Sequence, residues 1–199
     1  MISTTATATR TLSGPQVLRP KQVLALLRAP DKRTRLGRRD AALLACLATG
    51  GLRLGEATRL VVGDIELGKR VRISTRTLKT HGQRSRTVTL PAPAAKLLRG
   101  WLDYSQPRYW VFPGRRNEAL TTRQAGRIVR GYLREIGRGD MRPHGLRHTV
   151  GAIVTRQAGL WVAANVLGHA SVDTTKRFYS QYCVEDADKA ADEIERSMK

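Results

Sequence analysis

A chain of 199 residues is long enough for one compact domain with short tails and too short for two large ones. Lys and Arg number 36 against 16 Asp and Glu, a formal net charge of +20, so the expected partner is a polyanion held by salt-sensitive phosphate contacts. No apolar run reaches the ~20 residues that span a bilayer, the opening MISTTATATR lacks the apolar stretch of a secretory signal, and Cys46 and Cys183 give neither a disulfide framework nor metal-ligand spacing.

Those exclusions lead us to expect a reducing, cytoplasmic setting and no membrane. Of the 36 basic residues 28 are Arg, whose planar fork matches phosphate oxygens better than the point charge of Lys.

Residues 1–17, rich in Thr, Ala and Ser without apolar periodicity, read as a flexible leader. From Leu18, LRPKQVLALLRAP puts Val23, Leu24, Leu26 and Leu27 on one helical face and ends at Pro30. The basic stretch DKRTRLGRRD is expected to join it to an apolar helix, AALLACLA, stopped by Gly50 and Gly51, and a short helix, LGEATRL, follows. The period then changes. IEL, RVRIST and RTVTLP carry β-branched residues in rough alternation, separated by Gly68-Lys69 and by THGQRS, as in a small antiparallel meander.

After Pro91 and Pro93, AAKLLRGWLDY, TRQAGRIVRGYLREIG and HGLRHTVGAIVTRQAG predict three helices, with Gly100, Gly131 and Gly151 as tolerated weak points. LWVAANVLG and VDTTKRF predict two shorter ones. The tail 184–199 reverses the charge and predicts a polar helix on which Ala187, Ala190, Ala191 and Ile194 form an apolar stripe. Trp101, Trp110 and Trp161, each among apolar neighbours, read as core anchors. The expected fold class is α+β, mostly helical, with one small three-stranded antiparallel sheet.

Taken singly, an Arg after a Gly-Gly pair or a His and an Arg three apart in HGLR are common accidents. The order ATGGLRLGEATRL, then a Lys in a hairpin, then HGLRHT, then LGHASVDTTKRFY is far more specific. In that order and spacing, residues 18–183 resemble the catalytic domain of the tyrosine recombinases, the phage-integrase family. The resemblance implies cutting and rejoining of double-stranded DNA through a covalent 3′-phosphotyrosyl intermediate, with no metal and no cofactor. It also implies a homotetramer on two DNA sites, with accessory DNA-bending proteins as further candidate partners.

It assigns roles as well. Arg53 and Arg147 would hold the nonbridging phosphate oxygens as charge builds on them. Lys79, at the hairpin tip, would protonate the 5′-oxygen leaving group. His144 and His169 would hydrogen-bond the phosphate and exchange protons, and Tyr179 would attack. Glu56 would support Arg53. Arg76, Arg84 and Arg86 on the hairpin, and Arg123, Arg127 and Arg130 on a helix, are candidates for DNA-backbone contact; such contacts position an enzyme without reading sequence. His148 and His81 are read as structural residues outside the catalytic set.

One departure from the family's pattern stands out. The nucleophile usually falls nine residues after the LGH histidine, and that place holds Phe178, which cannot attack phosphorus. Either a one-residue shift brings Tyr179 into line, or Tyr182 serves, or cutting is lost and the chain is a recombinase-derived DNA-binding protein. A type IB topoisomerase shares the chemistry and is a further alternative. Most family members carry a separate N-terminal helical domain where this sequence has only the leader, so it resembles the short members, such as the fimbrial phase-variation invertases, or an excised catalytic domain.

Overall fold

The computed structural model describes residues 17–77, 84–114, 116, 118–169 and 171–182, with only the backbone at 76, 77, 84, 85 and 181. Pro20 opens α1 (Pro20–Arg28), because a first-turn residue has no intrahelical use for an N–H and proline's φ is already helical. Val23, Leu26 and Leu27 form its buried face, while Leu24, grouped with them by the sequence pattern, is exposed.

α2 (Arg35–Ala48) starts well before its apolar run. The expected linker DKRTRLGRRD is therefore half helix. Thr34 explains the early start: its Oγ1 accepts the Gly37 N–H at 3.0 Å and satisfies one of the unpaired first-turn donors. From Ala41 to Ala48 every residue is buried, so this helix runs through the middle of the domain. The short α3 (Leu54–Thr58) follows.

β1 (Ile65–Leu67), β2 (Val71–Thr77) and β3 (Arg84–Thr89) pair antiparallel in that order. Ile73 sits opposite both Ile65 and Val88, and Val71, Ile73 and Val88 turn one face of the small sheet into the core. α4 (Ala92–Ser105) packs on α2, and α5 (Thr122–Glu135), capped by Thr121, packs on α3.

A 24-residue helical span, His144–Leu167, is interrupted at Gly159, where φ 82° and ψ 170° lie outside the helical region. Glycine reaches that conformation at no steric cost. The span is thus two helices, α6 (residues 144–158) and α7 (residues 160–167), as the separate runs HGLRHTVGAIVTRQAG and LWVAANVLG predict. Together they are long and apolar enough to cross a membrane by length and composition, with a mean hydropathy of 1.2, but the break divides them. α8 (Val172–Tyr179) and a 3-10 turn, Ser180–Tyr182, complete the described chain.

One large core joins α1 to α5 and the sheet, and a smaller cluster of Val150, Ala152, Leu167 and Tyr179 joins α6, α7 and α8. Of the three expected tryptophan anchors, Trp101 is one, buried and donating its indole N–H to the Val111 carbonyl at 2.7 Å. Trp110 is half-buried, edge-on to Tyr109. Trp161 is not a core residue: it is 72% exposed, because Ala163, Ala164 and Leu167 take the inward face of α7.

Candidate active site

The loop after Gly50-Gly51 delivers Arg53 to the start of α3. Glu56, three residues on, accepts the Arg53 backbone N–H at 2.8 Å and its Nη1 at 2.7 Å, so one carboxylate caps the helix and holds the arginine. From β3, Arg86 reaches the same carboxylate with Nη2 at 2.9 Å and Nη1 at 3.3 Å. The side chains of Glu56 and Arg86 are 8% and 9% exposed, whereas that of Arg53 is 39% exposed. Arg86 was expected to grip DNA backbone from the hairpin surface. Its guanidinium instead points inward, because the buried Glu56 charge offers a closer partner. Burial pushes the Glu56 pKa up, but Arg86 first and Arg53 second outweigh it and hold the carboxyl below its ordinary range.

Arg147 comes from the first turn of α6 and is 3% exposed. Its Nη1 donates to the Gly51 carbonyl at 2.6 Å and its Nη2 to the Leu167 carbonyl. That pins the site end of α6 to the α2–α3 loop and to the end of α7. The Gly51 carbonyl also accepts Arg86 Nη2 at 3.4 Å. Burial, with Arg53 and Arg86 close by, lowers the Arg147 pKa to about 9. Three guanidiniums therefore surround one carboxylate.

His144 and His148 lie one helical turn apart on α6 with rings edge to face, centroids 4.7 Å apart. His169 follows the α7 terminus and shares a 2.7 Å hydrogen bond between its Nδ1 and Thr175 Oγ1, which orients the ring. All three imidazoles titrate below their ordinary range. Burial is the main cause, followed by Arg147 and Arg53 for His144 and His169, and by His144 and Arg147 for His148. His148 and His169 are pushed down to about 4, so near neutral pH they are uncharged and each keeps one nitrogen lone pair.

Tyr179, at the end of α8, is 1% exposed, and its hydroxyl lies 2.8 Å from His148 Nδ1. Burial raises the phenol pKa to about 12, partly offset by Arg147. The ring rests on α6 where Gly151 has no side chain: a Cβ there would lie 2.4 Å from Tyr179 Cζ. Gly151, read as a weak point, is the space the ring occupies. Phe178, at the family's usual spacing, is 40% exposed, with its ring centroid 5.6 Å from that of His148. Tyr182 stands 6.5 Å from Tyr179, centroid to centroid.

The structure thus brings together Arg53, Glu56, Arg147, His144, His169 and Tyr179, and adds His148 and Arg86. His148 was set aside in the sequence as structural. The available signal was its position, four residues after His144 and three before a helical glycine, which marks a close approach. Arg123, Arg127 and Arg130 are exposed along α5. Lys79, His81 and the 184–199 tail lie outside the described residues, as do the Arg76 and Arg84 side chains.

The phage integrase family profile matches residues 16–184. The tyrosine recombinase XerC of Mycobacterium leprae is 33% identical over 185 residues, which cover 86% of this chain and 60% of that protein. XerD of Neisseria meningitidis serogroup B is 32% identical over 174 residues, covering 81% of this chain and 57% of the relative. Among solved structures, the XerA recombinase superposes with a TM-score of 0.74 at 26% identity, over 96% of this chain and 66% of that one. The chain therefore spans somewhat over half the length of the curated relatives it matches. With a profile match over residues 16–184 and the expected arginines and histidines gathered in one cluster, this chain belongs to the phage integrase family.

Proposed function

We propose that the chain cuts and rejoins double-stranded DNA as the strand-transfer domain of a site-specific recombinase, with Tyr179 as nucleophile. The observation that carries this reading is the convergence of Arg53, Arg147, His144 and His169, from distant parts of the chain, in one cationic cluster, with the Tyr179 hydroxyl held by His148 beside it.

In this reading the scissile phosphate enters the pocket against Arg53, the more exposed guanidinium. Arg147 has two of its five donors on backbone carbonyls; those bonds fix its plane so that the remaining donors stabilise charge in the transition state without reorganising. Tyr179 Oη forms the new bond to phosphorus as the bond to O5′ breaks. Its proton passes to His148 Nδ1, at hydrogen-bond distance in a ring that is neutral near pH 7 and that acts here in the tautomer with its proton on Nε2. O5′ takes a proton from Lys79, and His144 and His169 hydrogen-bond the phosphate oxygens. The phosphotyrosyl link retains the bond energy, so the reverse attack by a 5′-hydroxyl reseals the strand. Arg123, Arg127 and Arg130 on the open face of α5 contact flanking phosphates. A tetramer on two sites and accessory bending proteins complete the proposal.

The test is to incubate the protein with nicked and junction DNA from the sequence around its own gene and to trap covalent complexes on denaturing gels. Wild type and Tyr182→Phe are expected to form the complex and Tyr179→Phe to form none. DNA binding with no covalent product on any of these substrates would overturn the reading in favour of a binding protein. Supercoil relaxation with no recombinant product would favour a topoisomerase.

A further inference from the structure

We infer that Arg86 is a positioning residue for the scissile phosphate: it fixes Glu56 and, through Glu56, the guanidinium of Arg53. The inference rests on the reading that Arg53 meets that phosphate.

Arg86 touches several of the segments that build the pocket. Its two terminal nitrogens sit on both oxygens of Glu56, and Nη2 also reaches the Gly51 carbonyl that holds Arg147. Its stem runs against the turn before His169, where a Cβ added at Gly168 would lie 2.8 Å from Arg86 Cδ. Any side chain larger than hydrogen at 168 would have to displace the Arg86 stem, and the φ of 62° disfavours one there as well. The Arg86 Nε is buried without a hydrogen-bond partner, which is a cost to the fold.

Stability alone does not account for this arrangement. Removing a guanidinium and a carboxylate from water costs more than packing apolar residues of similar volume, so a buried ion pair is weak evidence for stabilisation. Positioning accounts for it in two ways. A carboxylate held on both oxygens cannot pivot, and Arg53, which shares it through Nη1, inherits that orientation. The second effect is one of charge. Paired with Arg53 alone, Glu56 would cancel the positive charge meant for the phosphate; with Arg86 as its main counter-ion, Arg53 keeps a net attraction for an incoming anion.

The inference is tested on the full chain with Arg86→Gln, Arg86→Lys, Arg53→Ala and the Arg86→Gln/Arg53→Ala pair. The first readout is single-turnover formation of the covalent complex on the trapping DNA used above. Arg86→Gln is expected to slow it by about 10- to 100-fold, the scale of loss when an outer-shell partner of a metal ligand is removed. In the Arg53→Ala background the same change should cost less than about 3-fold, because the two residues act through one contact. Arg86→Lys keeps the charge, loses the fork and should fall between. The second readout needs no activity: the guanidinium NMR signals of Arg53, assigned with Arg53→Lys, should report hindered rotation in wild type and free rotation in Arg86→Gln.

Equal losses in both backgrounds, or Arg53 signals unchanged by Arg86→Gln, would overturn the role. If Arg86→Gln does not melt cooperatively, Arg86→Lys carries both readouts with the same criteria. Should wild type itself form no covalent complex, the recombinase reading fails, while the NMR comparison still decides the role of Arg86.

Discussion

Replacing Gly151 with alanine probes the resting place of Tyr179. In an ordinary helix interior, Gly→Ala gains about 0.5–1 kcal/mol, because glycine loses more backbone entropy on folding. At 151 the new Cβ would lie 2.4 Å from Tyr179 Cζ, 2.6 Å from Oη and 2.7 Å from Cε1. A buried aromatic ring has no flexible end to yield. Squeezing the ring in place costs roughly 1–3 kcal/mol of overpacking strain. Expelling it forfeits about 1.5–3 kcal/mol of burial, together with about 0.5–1.5 kcal/mol from the His148 hydrogen bond. The helical gain offsets part of either cost, so Gly151→Ala is expected to destabilise by up to about 2.5 kcal/mol.

Urea melts measure this directly. Gly131→Ala, in α5 where an added Cβ meets nothing within 4 Å, is the control and should gain stability by about 0.5–1 kcal/mol. In a Tyr179→Leu background the Gly151→Ala penalty should shrink or reverse sign. A stabilising Gly151→Ala in the wild-type background would refute the packing of Tyr179 on α6 and, with it, the hydrogen bond to His148.

The histidines set a pH dependence. Their folded pKa values, about 4 for His148 and His169, lie below the ordinary value of 6.5, so between those limits the unfolded chain binds more protons. Stability is then full above about pH 6.5 and falls as pH drops towards 4, with a slope of at most about 1.4 kcal/mol per pH unit for each histidine; His148→Gln should flatten that slope in urea melts, and an unchanged slope would refute the shift. If Arg123, Arg127 and Arg130 each hold a phosphate, changing all three to alanine should lower the slope of log affinity against log salt by about 0.9 for each phosphate no longer neutralised, measured by titration of labelled duplex; a slope unchanged from wild type would place DNA on another face. Trp101→Ala should cost about 3–5 kcal/mol and Trp161→Ala less than about 0.5 kcal/mol, with acrylamide quenching reduced in the Trp161 variant to what the half-buried Trp110 contributes.

The fold was legible wherever a local signal had one reading. Alternation in RVRIST and RTVTLP specified the sheet, and Gly159 marked the α6–α7 boundary because its conformation is closed to other residues. The start of α2 was hidden because RTRLGRR has no apolar period; the helix there is set by the Thr34 cap and by tertiary support. Trp161 shows the limit of composition: apolar neighbours in sequence do not say which side of a helix faces inward. In the site, Arg53, His144, Arg147 and His169 were visible through their order along the chain. Arg86 and His148 were not. Each owes its place to a partner far away in sequence, Glu56 for one and Tyr179 for the other; the spacing of His148 from His144 and Gly151 marks a close approach without naming Tyr179, and nothing local marks the pairing of Arg86.

The pocket's charge balance connects these residues. Among the described residues, Glu56 is the one carboxylate bonded within it, against Arg53, Arg86 and Arg147, so an excess of about two positive charges is held in a partly dry site. That excess helps depress the histidines: a proton on His169 or His144 would face Arg147 and Arg53 as a like charge. An entering phosphate reverses the sign of the argument, because its negative charge offsets the guanidiniums and makes protonation of the same imidazoles less costly. On the proposed function, the cluster would hold its histidines neutral when empty and let them carry protons once a phosphate is bound. Arg86 matters to that exchange through Glu56, since without it the one carboxylate would cancel Arg53 instead of leaving it for the substrate.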